Sequence, residues 1–350
     1  MSGFWEGRRV LVTGHTGFKG SWLSLWLNGL GANVHGFALE PDANPSLFAQ
    51  LGLDRSINHA AGDIRELEDV RARVAAVQPE VVIHLAAQSL VRRSYREPVE
   101  TWDVNVQGSV HLLQALRVLN HPCAVVMVTT DKVYENREWT HAYRESDRLG
   151  GHDPYSASKA ATELAVSSFR SSFFDGTPVR IASARAGNVI GGGDWSEDRL
   201  VPDLARALAR GEPVGVRNAG AVRPWQHVLE PLSGYLTLAR RLLENDDPAL
   251  RSAFNFGPQP ADTRTVSALV DGALSHWPGG RRVDAHDPTA PHEANLLSLT
   301  IDRSAAMLDW RPRWDFDRAV EATLKWYCQV HDGASARDVT LAQIEAFGAP

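Results

Sequence analysis

Short runs of unbroken apolar residues alternate with longer amphipathic stretches through the first half of the chain. Residues 10–12 form a compact apolar run, followed by a glycine-rich turn and a helix over about 17–30. Asn33–Phe37 reads as a second strand and 59–64 as a third. Residues 66–77 read as helix, and 81–85 is an apolar run of the kind that fits a parallel strand covered on both faces. A long helix over 99–119, a strand over 124–129, a helix over 154–174 and a strand over 179–184 complete the series. This alternation predicts an α/β fold, a doubly wound parallel sheet of Rossmann type with right-handed crossovers.

After Asn188 the pattern breaks up. Glycine, proline and tryptophan become frequent, and apolar runs are short and scattered. Residues 253–256 look like one more strand returning to the large sheet. The expected division is therefore interwoven. Residues 1–187, with about 225–257 returning, form the dinucleotide-binding part, and 188–224 with 258–350 form a smaller α/β substrate-binding part.

Composition narrows the functional classes. With 36 Lys and Arg against 42 Asp and Glu, the net charge is −6, which argues against general attraction to nucleic acid. An anionic ligand would need a local cluster of arginines. The two cysteines, Cys123 and Cys328, stand in unrelated contexts without metal-ligand spacing, so neither a disulfide framework nor a metal site is expected. No apolar run reaches the roughly 18 residues of a membrane span, and the first nine residues lack a signal-peptide core. A cytoplasmic protein is expected.

The turn Thr13-Gly14-His15-Thr16-Gly17-Phe18-Lys19-Gly20 lies between the first strand and its helix. Gly14, Gly17 and Gly20 suit a tight turn, close approach to a pyrophosphate and close helix–strand packing, and the helix N-terminus offers amides to the phosphates. His15, Phe18 and Lys19 belong to the same cofactor wall. His15 and Lys19 are bulkier and more polar than such turns often hold; either they face solvent or they loosen the cofactor. Asp63 and Ile64 end the third run, where an aspartate can meet adenine or simply cap the next helix. Ala86 and Ala87 end the fourth run with small side chains that a ribose can approach. The second run ends without a basic residue near Glu40, which favours NAD over NADP.

The chemistry centres on Tyr155 and Lys159, four apart and therefore on one helix face. A phenol is a poor base at neutral pH, and a neighbouring ammonium together with a cationic nicotinamide should lower its pKa. Thr130, Asp131 and Lys132 follow the fifth run, at the carboxyl edge of the sheet where ligands bind. Thr130 can bond the tyrosine or a sugar hydroxyl. Asp131 and Lys132 add an acid and a base beyond what hydride transfer alone requires, or form a surface ion pair.

These residues carry a resemblance that covers nearly the whole chain. The turn at 15–20, Ala87-Gln88-Ser89-Leu90-Val91-Arg92-Arg93-Ser94, Thr130-Asp131-Lys132-Val133-Tyr134, Tyr155-Ser156-Ala157-Ser158-Lys159, the run 185–195 and Arg223-Pro224-Trp225-Gln226-His227 resemble the extended short-chain dehydrogenase/reductases. Within these they are similar to the nucleotide-sugar 4,6-dehydratases, and to their cytidine branch. The resemblance implies an NAD-dependent hydro-lyase acting on CDP-glucose in deoxysugar or surface-polysaccharide (O-antigen) assembly. It implies an internal redox cycle: C4 is oxidised with Tyr155, Lys159 and Thr130, the acidified C5 proton is removed, Asp131 protonates the departing C6 hydroxyl, and C6 is reduced. The dTDP-glucose relatives carry a glutamate as C5 base where this chain has Lys132, so Lys132 is either that base or a cation stabilising the enolate.

On the substrate side the resemblance implies Ser89 and Asn188 at the sugar, while Arg199, Arg217 and Arg223, spread over the second part, either converge on the diphosphate or are solvated singly. His292 lies in a similar substrate segment. Trp195 and Trp225 flank the base or pack locally. The helices over 99–119 and 154–174 are similar to those of a four-helix homodimer interface, which could pair into a tetramer. A dehydratase for another nucleotide sugar or a nucleotide-sugar 4-epimerase remains open, the latter having no use for Asp131 and Lys132.

Overall fold

The computed structural model describes residues 2–42, 44–277, 279–285 and 296–350. Six strands form one parallel sheet: β1 (Arg9–Thr13), β2 (Asn33–Phe37), β3 (Val81–His84), β4 (Cys123–Val128), β5 (Val179–Arg185) and β6 (Ala253–Asn255). Their order is β6-β5-β4-β3-β1-β2, with every neighbouring pair parallel. The returning strand at 253–255 is thus part of the large sheet.

Both faces of the sheet are covered, which explains the unbroken apolar runs. Successive side chains point to opposite faces. Val10, Val12, Val81, Ile83, Ala124 and Val126 enter one core with helix α1 (Phe18–Gly29). Leu11, Val82, Cys123, Val125 and Met127 enter the other, with α2 (Leu67–Val77) and α3 (Gly108–Leu116). The long helix expected over 99–119 is a continuous run beginning at Pro98, with a π-helical turn at Asp103–Gln107 leading into α3. Helix α4 (Pro154–Phe169) is set by Asp153, whose carboxylate accepts the Ser156 amide at 2.9 Å, with Pro154 in its first turn.

The third strand expected over 59–64 is corrected. Residues 58–62 run along the outer edge of β2 and exchange backbone bonds with Val34, Gly36 and Ala38, but they pair as two separate bridges, His35 with Asn58 and Ala38 with Ala61, and not as a continuous strand. The bond from Ala38 N to Ala60 O is stretched to 3.4 Å, so the ladder is broken in its middle.

Beyond residue 188 the strands are two or three residues long, and they pair across the sequence. Val189–Ile190 runs parallel to Gln226–His227, Val214–Val216 parallel to Arg282–Asp284, and Val222–Arg223 antiparallel to Arg264–Thr265. Helices α5 (Leu200–Ala209), α6 (Leu229–Glu244), α7 (Val266–His276), α8 (Phe316–His331) and α9 (Ala336–Phe347) complete this part. Residues of all five join the core that covers one face of the large sheet. No described helix is long and apolar enough to cross a membrane.

Candidate active site

A cavity of about 1300 Å³ opens at the carboxyl ends of β1, β3, β4 and β5, where ligands enter open α/β sheets. Gly14, Gly17, Phe18, Lys19 and Gly20 line one end. Gly14 has φ +73°, and a Cβ there would stand 2.6 Å from the Ala86 amide nitrogen, so the position requires glycine. Gly17 caps α1 without a side-chain bond, and the first-turn amides of α1 have no acceptor within their own helix. A bare cradle of amides at the positive end of a helix dipole fits a dinucleotide pyrophosphate. The residues present therefore fit NAD.

Not every expected cofactor residue faces this cavity. His15 does not face solvent: it is fully buried, its ring lies over Gly36, and its Nε2 bonds His59 Nδ1 at 2.7 Å. Burial, with His59 beside it, pulls its imidazole down to about 3. Lys19 does point into the cavity, where burial and the neighbouring Arg199 lower its ammonium to about 8. Asp63 neither caps α2, whose N-cap is Glu66, nor offers an unengaged carboxylate: Arg65 holds it through Nε and Nη2 at 2.9 and 2.5 Å. Ile64 is buried under α3. Ala87 lines the cavity, whereas Ala86 lies behind Gly14 and bonds Thr13 Oγ1 through its amide at 3.3 Å.

The structure brings the chemical residues together. Thr130, Asp131, Lys132, Tyr155 and Lys159 all line the same cavity. Thr130 caps the turn after β4 and donates to Asp131 Oδ1 at 2.9 Å, and its side chain also bonds the Tyr155 phenol. Asp131 is fully buried, with Asn188 Nδ2 donating to its Oδ2 at 3.3 Å and Lys132 Nζ 3.9 Å from its Oδ1. Asn188 holds this pose in left-handed backbone, φ 47°. Lys132 is partly exposed, so the Asp131–Lys132 pair joins a buried acid to a solvent-reachable amine.

In the protein alone the phenol is not lowered. Burial pushes Tyr155 up to about 12, with Asp131 adding to the rise and the Thr130 bond and Arg199 opposing it. Desolvation outweighs the nearby cations, so the phenolate depends on positive charge brought by the cofactor. Burial also pulls Lys159 down to about 8, opposed by Glu163, and its Nζ donates to Val128 O at 3.4 Å.

On the substrate side, Arg199 spans the cavity wall, donating to Asp194 Oδ2 at 2.9 Å and to Ser89 Oγ at 3.0 Å. Arg217 approaches Asp198 at 3.4 Å, and Arg223 donates to the Val222 carbonyl at 2.9 Å; both line the cavity. Trp225 lines it too, whereas Trp195 packs against Tyr327 and Trp326. His292 lies outside the described residues. Asp194, which orients Arg199, was missed by sequence reasoning although it sits in the quoted 185–195 run, because nothing in the sequence pairs it with residue 199.

The sequence profile described as GDP-mannose 4,6 dehydratase matches residues 11–323. The chain belongs to this family, NAD-dependent hydro-lyases on an extended short-chain dehydrogenase/reductase fold. CDP-glucose 4,6-dehydratase of Salmonella typhimurium is 46% identical over 329 residues, covering 93% of this chain and 91% of that protein. A dTDP-glucose 4,6-dehydratase of Xanthomonas campestris is 27% identical over 334 residues, covering 91% of this chain and 92% of its own. Among solved structures, dTDP-glucose 4,6-dehydratase of Bacillus anthracis in complex with NAD superposes with TM-score 0.76 at 19% identity, covering 93% of this chain and 98% of that one. The UDP-glucose 4-epimerase of Thermotoga maritima with UDP-glucose gives 0.79 at 21%, covering 92% and 99%. At these identities the likeness establishes the fold.

Proposed function

We propose that the chain removes water from CDP-glucose in an NAD-dependent reaction, yielding CDP-4-keto-6-deoxyglucose. The observation that carries this reading is the Asp131–Lys132 pair in one cavity with Tyr155 and Lys159, since a 4-epimerase needs no acid and base for water loss. The choice of cytidine rests on 46% identity to the CDP-glucose enzyme against 27% to a dTDP-glucose enzyme.

Gly14, Gly17, Phe18, Lys19, Gly20 and Ala87 hold the cofactor, with His15 and Ala86 supporting the turn from behind and Asp63 and Ile64 at the adenine end. NAD, when bound, supplies an acceptor for the C4 hydrogen and its later return to C6. Tyr155, assisted by Thr130, takes the C4 hydroxyl proton, and the Lys159 ammonium stabilises the phenolate. Oxidation at C4 makes the C5 proton acidic, so C4 must be oxidised before water can leave. Lys132 takes the C5 proton and Asp131 gives one to the C6 hydroxyl. Lys132 and Asp131 stand at an ion-pair distance of 3.9 Å, and once they close to hydrogen-bond range one proton returned from Lys132 to Asp131 restores the pair for the next turnover. Asn188 and Ser89 orient the hexose. Arg199, Arg217 and Arg223 face the diphosphate, for which the guanidinium fork is suited, and His292 belongs to the same side.

In this reading residues 1–187 with about 225–257 are the cofactor part, and 188–224 with 258–350 are the substrate part. Exposed apolar side chains on the two long helices, Val99, Trp102, Leu164 and Phe173, support a homodimer through these helices, with a tetramer as its doubled form. A cytoplasmic enzyme of deoxysugar and O-antigen assembly fits the substrate. The test is a panel of CDP-, dTDP-, UDP- and GDP-glucose with product analysis. Keto-sugar formation from CDP-glucose well ahead of the others supports the reading, and preference for another nucleotide overturns the cytidine assignment.

A further inference from the structure

One buried ion pair holds both ends of the turn that carries Thr130, Asp131 and Lys132, and the reaction as described makes no use of it. Thr129, at the start of the turn, donates its hydroxyl to Glu163 Oε1 at 2.5 Å. Tyr134, at its end, accepts from Arg185 Nη1 at 2.9 Å and donates to Asn255 Oδ1 at 2.7 Å. Arg185 Nη2 bonds Glu163 Oε2 at 2.9 Å and closes the ring, and Ser183 adds a third side-chain donor to that carboxylate at 2.7 Å. Glu163 and Arg185 are 5% and 3% exposed. A buried pair of this kind contributes little stability over an apolar plug of equal volume. Its charge has another consequence, because Glu163 lies four residues after Lys159 on α4, on the same face.

We propose that Glu163, clamped by Arg185, is a positioning residue that keeps Lys159 cationic and holds the 129–134 turn where Thr130 reaches Tyr155. Adjacent residues of one strand end thereby grip the catalytic helix at two points, Thr130 at Tyr155 and Thr129 at Glu163. Around Lys159, Lys19 of α1 is a cation, Tyr155 is held protonated by burial and His84 of β3 is held neutral by burial; the Asp131 carboxyl in the same cavity acts on Lys19 and Tyr155, and Glu163 is the carboxylate that acts on Lys159. Arg170 and Arg185 face Glu163. Burial already pulls the Lys159 ammonium down to about 8, and Glu163 is the charge that opposes it.

The inference rests on the dehydratase reading, and turnover of CDP-glucose by the unaltered protein is the control that separates the two. In Glu163→Gln, competitive acetylation of Lys159 by acetic anhydride across pH, read by mass spectrometry, shows a midpoint lower by about one pH unit. The alkaline limb of kcat moves down with it, and kcat at pH 8 falls about fivefold. An unchanged midpoint and limb overturn the proposal, any lost activity then being structural. Thr129→Val cuts the tether and keeps the charge, so it lowers kcat about tenfold or more at unchanged KM and unchanged midpoint. Unchanged kcat in that variant overturns the clamp, and it decides alone if Glu163→Gln does not fold.

Discussion

Lys132 Nζ stands 3.9 Å from Asp131 Oδ1, a partly exposed amine against a fully buried carboxylate. The two form an ion-pair contact, and both face the cavity that holds Tyr155. Replacing Lys132 by methionine keeps length and removes the amine. Turnover should fall by on the order of 10²–10⁴, as for loss of a general base. Solvent deuterium should no longer enter C5, while substrate still reduces the cofactor. Unchanged exchange at C5 would assign the base elsewhere.

Gly187 fixes how close the backbone after β5 comes to this pair. A Cβ there would overlap the Asp131 carboxyl group. Gly187→Ala must therefore displace the acid from Asn188 and Thr130. A shift on the scale of 1 Å in a catalytic group costs on the order of a hundredfold in rate. Steady-state kinetics should show that loss in kcat with the melting temperature changed by only a few degrees; full activity would show that Asp131 need not stay in place.

Three buried histidines make stability depend on pH. Burial holds His15, His84 and His227 neutral, each pulled down to about 3. Their folded pKa values lie below the unfolded one, so the unfolded chain binds more protons as pH falls below about 6.5. The stability from keeping them neutral is present above that value and is lost progressively toward pH 3. At pH 5.5 the loss is about 1.4 kcal/mol per histidine. Melting curves from pH 7.5 to 5.5 should fall steeply; a flat series would show that the imidazoles are hydrated.

Much of this was legible in the sequence because the elements are set by local patterns. All six sheet strands were legible, and three of them, β1, β3 and β4, are apolar runs whose alternate residues feed two cores, such as Val10 and Leu11. The edge segment at 59–64, His-Ala-Ala-Gly-Asp-Ile, has little of the β-branched and aromatic content of a strand, and the stretched bond in its ladder marks the difference in the fold. Tyr155 with Lys159, and Thr130 with Asp131, are legible because one helix face or one turn brings them together. The Glu163–Arg185 pair, the hold of Asp194 on Arg199 and the turning of His15 onto His59 join residues 22, 5 and 44 apart. No periodicity encodes such meetings. The phenol's rise was also hidden, since burial of Tyr155 is a property of the packed fold.

Val99 and Leu164 are 81% and 61% exposed on helices that pack together in one subunit. If they meet their counterparts in a partner, charged replacements there should separate the subunits. Light scattering of Val99→Lys/Leu164→Glu should give half the mass of the unaltered protein. A monomer before substitution would refute the interface.

The central claim, oxidation at C4 followed by loss of water and reduction at C6 within one cavity, is tested most directly with CDP-glucose deuterated at C4. The account predicts that the label is retained and found on C6 of a 4-keto-6-deoxy product, with hydrogen from solvent at C5. A CDP-galactose product still labelled at C4, or label lost to released NADH, would contradict it.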